Sequence, residues 1–263
     1  MTDVSVTLTG GGSMPLLGFG TWRLRGTEAY DSIWHALDVG YRHFDTATMY
    51  RNEAEIGRAL RDGDVSRDDV FLTTKLPPER VGRERETIAA SLQALGTDHV
   101  DLWLVHWPPR GRALVDTWRE LVSVQKDGLA GDIGVSNYST AQIDELIAAT
   151  GVVPAVNQIE WSPHLFDPRR RDDLRSRGVV LEGYSPFRAS RLDDPVLAEI
   201  ASAHSVSPAQ VILRWHIDHG FVVIPKSANP ARIASNFDVF GFSLSPDEMA
   251  RIDGLGGRRH RWR

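Results

Sequence analysis

Residues 40–57 read GYRHFDTATMYRNEAEIG. Arg42-His43-Phe44 is a short extended segment ended by Asp45, and Tyr50 follows five residues later in a loop. Asn52-Glu53 then open a helix, with Ala54, Ile56, Ala59 and Leu60 at its apolar positions. The stretch is therefore one strand, one loop and one helix, with a carboxylate at the strand's end and a phenol in the loop behind it. In parallel α/β folds the C-terminal ends of strands are where chemistry is placed. Taken alone, the stretch has a plainer reading, with Asp45 anchoring a loop and Tyr50 packing. The rest of the chain decides between them.

The same unit recurs on both sides. Upstream, alternating residues at 4–8, a Gly10-Gly11-Gly12 turn and an apolar run at 14–17 predict a hairpin. A short strand at 18–22 and a helix at 27–39 follow, stopped by Gly40. Downstream, strands are predicted at 70–75, 100–107, 130–135, 155–159, 179–183 and 221–224. Helices are predicted at 83–95, 115–125, 141–149, 195–204 and 208–219, with a short one at 172–175 and two more short patterns near the end. Strands alternating with helices along the whole chain imply a parallel sheet with crossover helices. The count of eight strands and the lack of any linker favour a closed (β/α)8 barrel with an N-terminal β-hairpin, a single domain over 1–263. An open doubly wound sheet is the alternative, but no G-x-G-x-x-G follows the first strand. The length of 263 residues, 41% of them hydrophobic, suits such a barrel and its core.

Composition narrows the function. A formal net charge of −5 gives no general attraction to nucleic acid or membrane surfaces. The chain has no cysteine, which excludes disulfides, thiolate metal sites and cysteine nucleophiles. That composition fits a reducing compartment, so a cytoplasmic location is expected. No signal peptide is apparent, and no apolar run is long enough to span a bilayer.

Polar residues sit at the predicted strand ends: Asp45, Lys75, His106, Ser136-Asn137, Gln158, Tyr184-Ser185 and Lys226-Ser227. In a barrel these ends converge on one face, so distant parts of the chain would line a single mouth. Asp45, Tyr50, Lys75 and His106 then form an acid–base set. A phenol is a poor acid at neutral pH, but a neighbouring ammonium favours the phenolate and lowers its pKa. Lys75 supplies that charge in this reading and Asp45 holds Lys75 in place. Tyr50 would protonate a carbonyl oxygen as hydride reaches the carbon, with His106 orienting the same oxygen. No H-E-x-x-H pair or thiol supports a metal site, and no G-x-S-x-G elbow supports a serine hydrolase. Organic chemistry with a cofactor or a Schiff base is left. The run VIPKSANPARI at 223–233 suggests phosphate binding by Lys226, Ser227 and Arg232 at a strand end and helix start.

Three segments make the chain resemble the aldo-keto reductase superfamily along its whole length. They are residues 40–57, the run from Leu92 through DLWLVHWP to Pro108, and VIPKSANPARIASN at 223–236. Within the family it looks like the bacterial members related to 2,5-diketo-D-gluconate reductases. The resemblance implies a (β/α)8 barrel that binds NADPH without a Rossmann domain and reduces aldehydes and ketones to alcohols. The family's catalytic tetrad falls on Asp45, Tyr50, Lys75 and His106. Its carboxamide contacts fall on Ser136, Asn137 and Gln158, and its aromatic beneath the nicotinamide on Tyr184, beside Ser185. Its 2′-phosphate contacts fall on Lys226, Ser227 and Arg232, and its adenine contact on Asn236. Gly20-Thr21-Trp22 matches the segment beneath cofactor and substrate, and Trp22 and Trp107 are the expected walls of a substrate pocket that also includes Tyr50 and His106. One position departs from the pattern: many members carry Glu before that Asn, where this chain has Ser235. The departure bears on cofactor affinity.

The stretches 109–115 and 186–194 are short to modest, which implies an open pocket tolerant of bulky carbonyls. The basic tail at 257–263 reads as a frayed, disordered terminus, or as a cover for the mouth that favours anionic substrates. A small carbonyl compound is the expected partner, with no nucleic acid or membrane, and the chain is expected to be a monomer. Two other functions fit parts of the pattern: a cofactor-binding regulatory module with slow turnover, and an aldolase forming a Schiff base on Lys75.

Overall fold

The strand Phe71–Leu76 is buried at all six positions, polar Thr73, Thr74 and Lys75 included. Parallel strands covered on both faces have no solvent side, so alternation gives way to continuous burial. The structure, a computed structural model, describes residues 4–256, and the two readings of the basic tail lie outside them.

An antiparallel hairpin of β1 (Ser5–Thr7) and β2 (Ser13–Pro15) comes first. The barrel strands follow as β3 (Phe19–Gly20), β4 (His43–Asp45), β5 (Phe71–Leu76), β6 (Val100–Val105), β7 (Ala130–Ser136), β8 (Val156–Glu160), β9 (Val180–Tyr184) and β10 (Val222–Ile224). Neighbours in sequence are neighbours in the sheet, and all pair in parallel. The ring closes between its ends, where Gly18 N donates to Val223 O at 2.9 Å and Val223 N to Leu16 O at 2.8 Å. This is the expected (β/α)8 barrel with its hairpin.

The helices are α1 (Gly26–Val39), α2 (Glu53–Asp62), α3 (Glu84–Leu95), α4 (Ala113–Lys126), α5 (Thr140–Thr150), α6 (Pro168–Ser176), α7 (Pro195–His204), α8 (Pro208–Asp218), α9 (Pro230–Phe237) and α10 (Pro246–Asp253). From α6 onward every helix opens on a capping residue followed by proline: Asp167-Pro168, Asp194-Pro195, Ser207-Pro208, Asn229-Pro230 and Ser245-Pro246. In each, the cap's side chain accepts a backbone N–H that would otherwise have no partner. Proline at the first position lacks an N–H that would go unused there. The α6 helix is longer than the 172–175 predicted, because Asp167-Pro168 start it while Leu174 is its one buried residue. Such a helix shows no apolar period to read. The strand β6 ends at Val105, short of the predicted Trp107, whose indole is 47% exposed.

The hairpin lies across the end of the barrel opposite the strand termini that carry the polar residues. Asp132, inside β7, accepts Gly10 N at 2.7 Å and Gly12 N at 3.2 Å. A Cβ on Gly10 would collide with Asp132 Oδ1, and one on Gly12 would come within 2.6 Å of Oδ2. Gly11 between them has φ +97°, a conformation side chains disfavour. The three glycines thus let one buried carboxylate hold the turn.

Candidate active site

Asp45 ends β4 and Lys75 lies one residue before the end of β5. Lys75 is wholly buried. Its Nζ donates to both Asp45 oxygens, Oδ1 at 2.7 Å and Oδ2 at 2.6 Å, and to Thr46 O at 2.8 Å. Gln158, on β8 across the barrel, donates its Nε2 to Asp45 Oδ2 at 2.8 Å. Burial pulls the ammonium's pKa down, but Asp45 and Tyr50 push it up further, and the net shift is upward. Lys75 is a sealed, charged group.

Tyr50 closes the short 3-10 turn Thr48–Tyr50, after which Arg51 takes a left-handed φ of 56° and redirects the chain into α2. Thr48 Oγ1 donates to Lys75 O at 3.0 Å and pins that turn over β5. The Tyr50 ring centre is 5.3 Å from Lys75 Nζ. The His106 ring meets it edge-on at 5.7 Å. Lys75 does pull the phenol's pKa down, as expected, but burial outweighs it and the net shift is upward. Burial pushes Tyr50 up to about 12; Lys75 pulls against this, and Asp45 adds to it. A charge beside a phenol is visible in sequence, whereas the dry wall around it is not. The consequence is a phenol that keeps its proton at neutral pH.

His106 lies just past β6, where its N donates to Leu76 O at 3.0 Å. Burial, then the Lys75 charge, lowers its pKa to about 3, so the imidazole is neutral. Its Nδ1 is buried without a hydrogen-bond partner among the described residues. An orphaned N–H is costlier than an orphaned lone pair, which favours the hydrogen on Nε2.

A cavity of about 650 Å³ opens above these groups at the C-terminal ends of the strands. Of the residues expected at the site, it is lined by Gly20, Thr21, Trp22, Asp45, Tyr50, His106, Trp107, Ser136, Asn137, Gln158, Tyr184, Ser185 and Lys226. Asn137 and Ser185 both have positive φ, 64° and 53°, which turns the chain sharply off β7 and β9. Tyr184 OH donates to Asn137 Oδ1 at 2.9 Å, and Asn137 Nδ2 donates to Ser136 Oγ at 3.0 Å. Ser227, Arg232 and Asn236 are not in the lining; they lie around the start and inner face of α9. Ser227 and Asn236 are mostly buried there and Arg232 is exposed. Neither Lys226 nor Arg232 has an ion-pair partner among the described residues.

The sequence reading missed several lining residues. Met49, Glu160, Phe187 and Arg188 also face the cavity. Their only signal was proximity to Tyr50, Gln158 and Tyr184 in the chain. It also passed over Glu182, a charge inside the apolar run VVLEGY, and its neighbour His43.

A profile of the aldo/keto reductase family matches residues 16–256. The chain belongs to this family. Among its aldo-keto reductase relatives, the methylglyoxal reductase DkgA of Escherichia coli O157:H7 is 40% identical over 251 residues, 94% of this chain and 91% of the relative. The crystal structure of an aldo/keto reductase from Brucella melitensis matches with a TM-score of 0.93 at 42% identity, over 97% of this chain and 100% of that one. An aldo-keto reductase of Bombyx mori in complex with NADP matches with a TM-score of 0.91 at 32% identity, over 97% and 94% of the two chains. The bacterial aldo-keto reductase character read from residues 40–57 and 223–236 is thereby shown.

The aldo-keto reductase site is chemically suited to a ligand carrying a carboxamide and a phosphate. Ser136, Asn137 and Gln158 gather hydroxyl and amide groups at one wall of the cavity. Lys226 and Arg232, free of counterions among the described residues, flank the first turn of α9.

Proposed function

We propose that this chain reduces aldehydes and ketones to alcohols with NADPH, with Tyr50 as the proton donor. The observation that carries the reading is the neutral pair of Tyr50 and His106 at a cavity mouth, set directly over a buried, charged Lys75–Asp45 pair. When bound, NADPH supplies the hydride. The chain's own groups do the rest. Ser136, Asn137 and Gln158 hold the carboxamide, Tyr184 backs the ring, and Lys226, Ser227 and Arg232 take the 2′-phosphate, with Asn236 at the adenine. Nε2–H of His106 and the hydroxyl of Tyr50 both point hydrogen at a carbonyl oxygen and orient it. As negative charge builds on that oxygen, Tyr50 releases its proton to it. The Lys75 ammonium, held by Asp45, stabilises the phenolate that remains.

The apolar walls Trp22, Met49, Trp107 and Phe187 favour carbonyl compounds with bulky or aromatic bodies. Reduction of a small dicarbonyl is compatible with the same centre, as the name of the Escherichia coli relative suggests. A Schiff base on Lys75 is disfavoured, because its amine is sealed, protonated and fully committed to Asp45 and Thr46.

The test is Tyr50→Phe, which removes the proton donor and little else. With a panel of aromatic aldehydes, keto esters and diketones, NADPH oxidation should drop by about 100-fold or more, the usual scale of general-acid catalysis. NADPH binding followed by fluorescence should be unchanged. Retention of most of kcat would remove Tyr50 from the role of acid.

A further inference from the structure

Beneath the Asp45–Lys75 pair the barrel holds two more ionisable side chains that the proposed reaction does not use. His43 precedes Asp45 by two positions on β4, so both point inward. Glu182, on β9, stands in register with Gln158 on β8. His43 and Glu182 are both fully buried. Nε2 of His43 lies 3.8 Å from Oε1 of Glu182. Neither that nitrogen nor either carboxyl oxygen has a partner in good hydrogen-bond geometry among the described residues, although the Gln158 amide on the neighbouring strand lies near enough to favour the carboxylate.

The charged and titratable groups facing Glu182 are His43 and Asp45 from β4 and Lys75 from β5. Asp45 already serves as the counterion of Lys75. A second unpaired carboxylate in this dry space would carry a large desolvation cost. His43 shows how the cost is avoided. Its Nδ1 is 3.1 Å from Pro15 O in the hairpin. A carbonyl only accepts, so Nδ1 carries the hydrogen and Nε2 is a bare acceptor. Among the described residues, the charged or titratable group paired with that acceptor is the carboxyl of Glu182, 3.8 Å away.

We propose that Glu182 is a positioning residue, held as a neutral carboxylic acid that donates its hydrogen to Nε2 of His43, so that it adds no further negative charge beside Asp45 beneath Lys75. The protonation tendencies agree with the geometry. Burial, then Asp45, pushes Glu182 up to about 8, with Gln158 and Lys75 pulling against them. Burial lowers His43 to about 4 against the pull of the Pro15 carbonyl, and Lys75 adds to the lowering. When Glu182 ionises, a further negative charge reaches Lys75. The ammonium then stabilises the Tyr50 phenolate less, and Tyr50 becomes a weaker acid.

This kinetic consequence rests on Tyr50 being the proton donor; the protonation state of Glu182 does not. The first arm of the test is therefore carboxyl 13C NMR of the full chain labelled at glutamate, with Glu182 assigned by loss of its signal in Glu182→Gln. A glutamate carboxyl that stays protonated through neutral pH and titrates near 8 is expected in the wild-type spectrum itself, and the folded variant assigns it to Glu182. A Glu182 carboxyl already ionised at mildly acidic pH overturns the proposal. The second arm is the pH profile of kcat for carbonyl reduction. The wild type should lose activity severalfold as pH climbs through the same range, and Glu182→Gln should lack that decline. An unchanged decline in the variant breaks the link from Glu182 to Tyr50. If Tyr50→Phe proves fully active, the reading of the reaction fails while the NMR arm still decides where the proton lies.

Discussion

Lys75→Met tests the floor of the site without reference to any substrate. The substitution keeps the length and apolar bulk of the stem and deletes the ammonium. Three hydrogen bonds go, to Asp45 Oδ1, Asp45 Oδ2 and Thr46 O. Asp45, 2% exposed, keeps only the Gln158 amide at 2.8 Å. Breaking a buried pair by removing one partner typically costs about 3–5 kcal/mol, because the remaining charge is buried without compensation. Lys75→Met should lose about that much in urea unfolding followed by tryptophan fluorescence at neutral pH. Asp45→Asn leaves the ammonium unpaired and should cost a similar amount. The double variant carries no buried charge here and should be well short of the sum of the singles, with a coupling of about 2 kcal/mol or more. Near-additive losses, or single losses below about 1 kcal/mol, would show that the pair is not buried and coupled as its distances imply.

Arg232→Ala should weaken NADPH binding tenfold or more and leave NADH almost untouched, since it removes the bidentate partner proposed for the 2′-phosphate; parallel titrations with both cofactors read this, and equal losses would contradict the role. Glu182 has a signature in stability as well. Its folded pKa, about 8, stands above its ordinary value of 4.5. Its contribution is therefore whole below the ordinary value and is lost as pH rises towards the folded one, since the unfolded chain ionises first. At about 1.4 kcal/mol for each unit of pKa, Glu182→Gln should gain several kcal/mol relative to wild type across that window, and a difference that stays flat with pH would refute it. At the far end of the barrel, Asp132→Ala leaves Gly10 N and Gly12 N without their acceptor. It should cost about 1–3 kcal/mol while kcat stays within twofold, which unfolding and steady-state assays together would check.

The strand ends were legible because each closes an apolar run with a polar residue. A β-strand with Asp45, Lys75 or Gln158 at or near its end marks its own C-terminal side, and the barrel's geometry then gathers those ends without further information. The hairpin turn was legible from Gly10-Gly11-Gly12, but its reason was not: the acceptor, Asp132, is 120 residues away from Gly12 in the chain. The α6 helix escaped because one buried residue, Leu174, leaves no period to detect. Glu182 was present in plain sight as a charge within an apolar strand. Its partner His43 sits on a strand far off in sequence, so nothing local tied the two together. The pull of Lys75 on Tyr50 was legible, but the burial that outweighs it was not, for a related reason. Sequence names the neighbours of a group, whereas its pKa also depends on how much water the fold leaves around it.

This division has a consequence for how the site can change. The floor is made by strands: Asp45, Lys75, Gln158, His43 and Glu182 are buried and bonded or aimed at one another, so a change in any of them disturbs its neighbours. The walls are made by loops. Trp22 and Trp107 are each 47% exposed and Met49 is 41% exposed, and none of these three side chains takes part in the network beneath. Substitutions at Trp22, Met49 and Trp107 should therefore shift KM between bulky and small carbonyls while changing kcat on a small aldehyde little, and pairs of them should combine additively with Glu182→Gln. A kinetic survey in which wall variants instead reproduce the altered pH profile of Glu182→Gln would mean that walls and floor move as one unit, and that the separation read from burial is false.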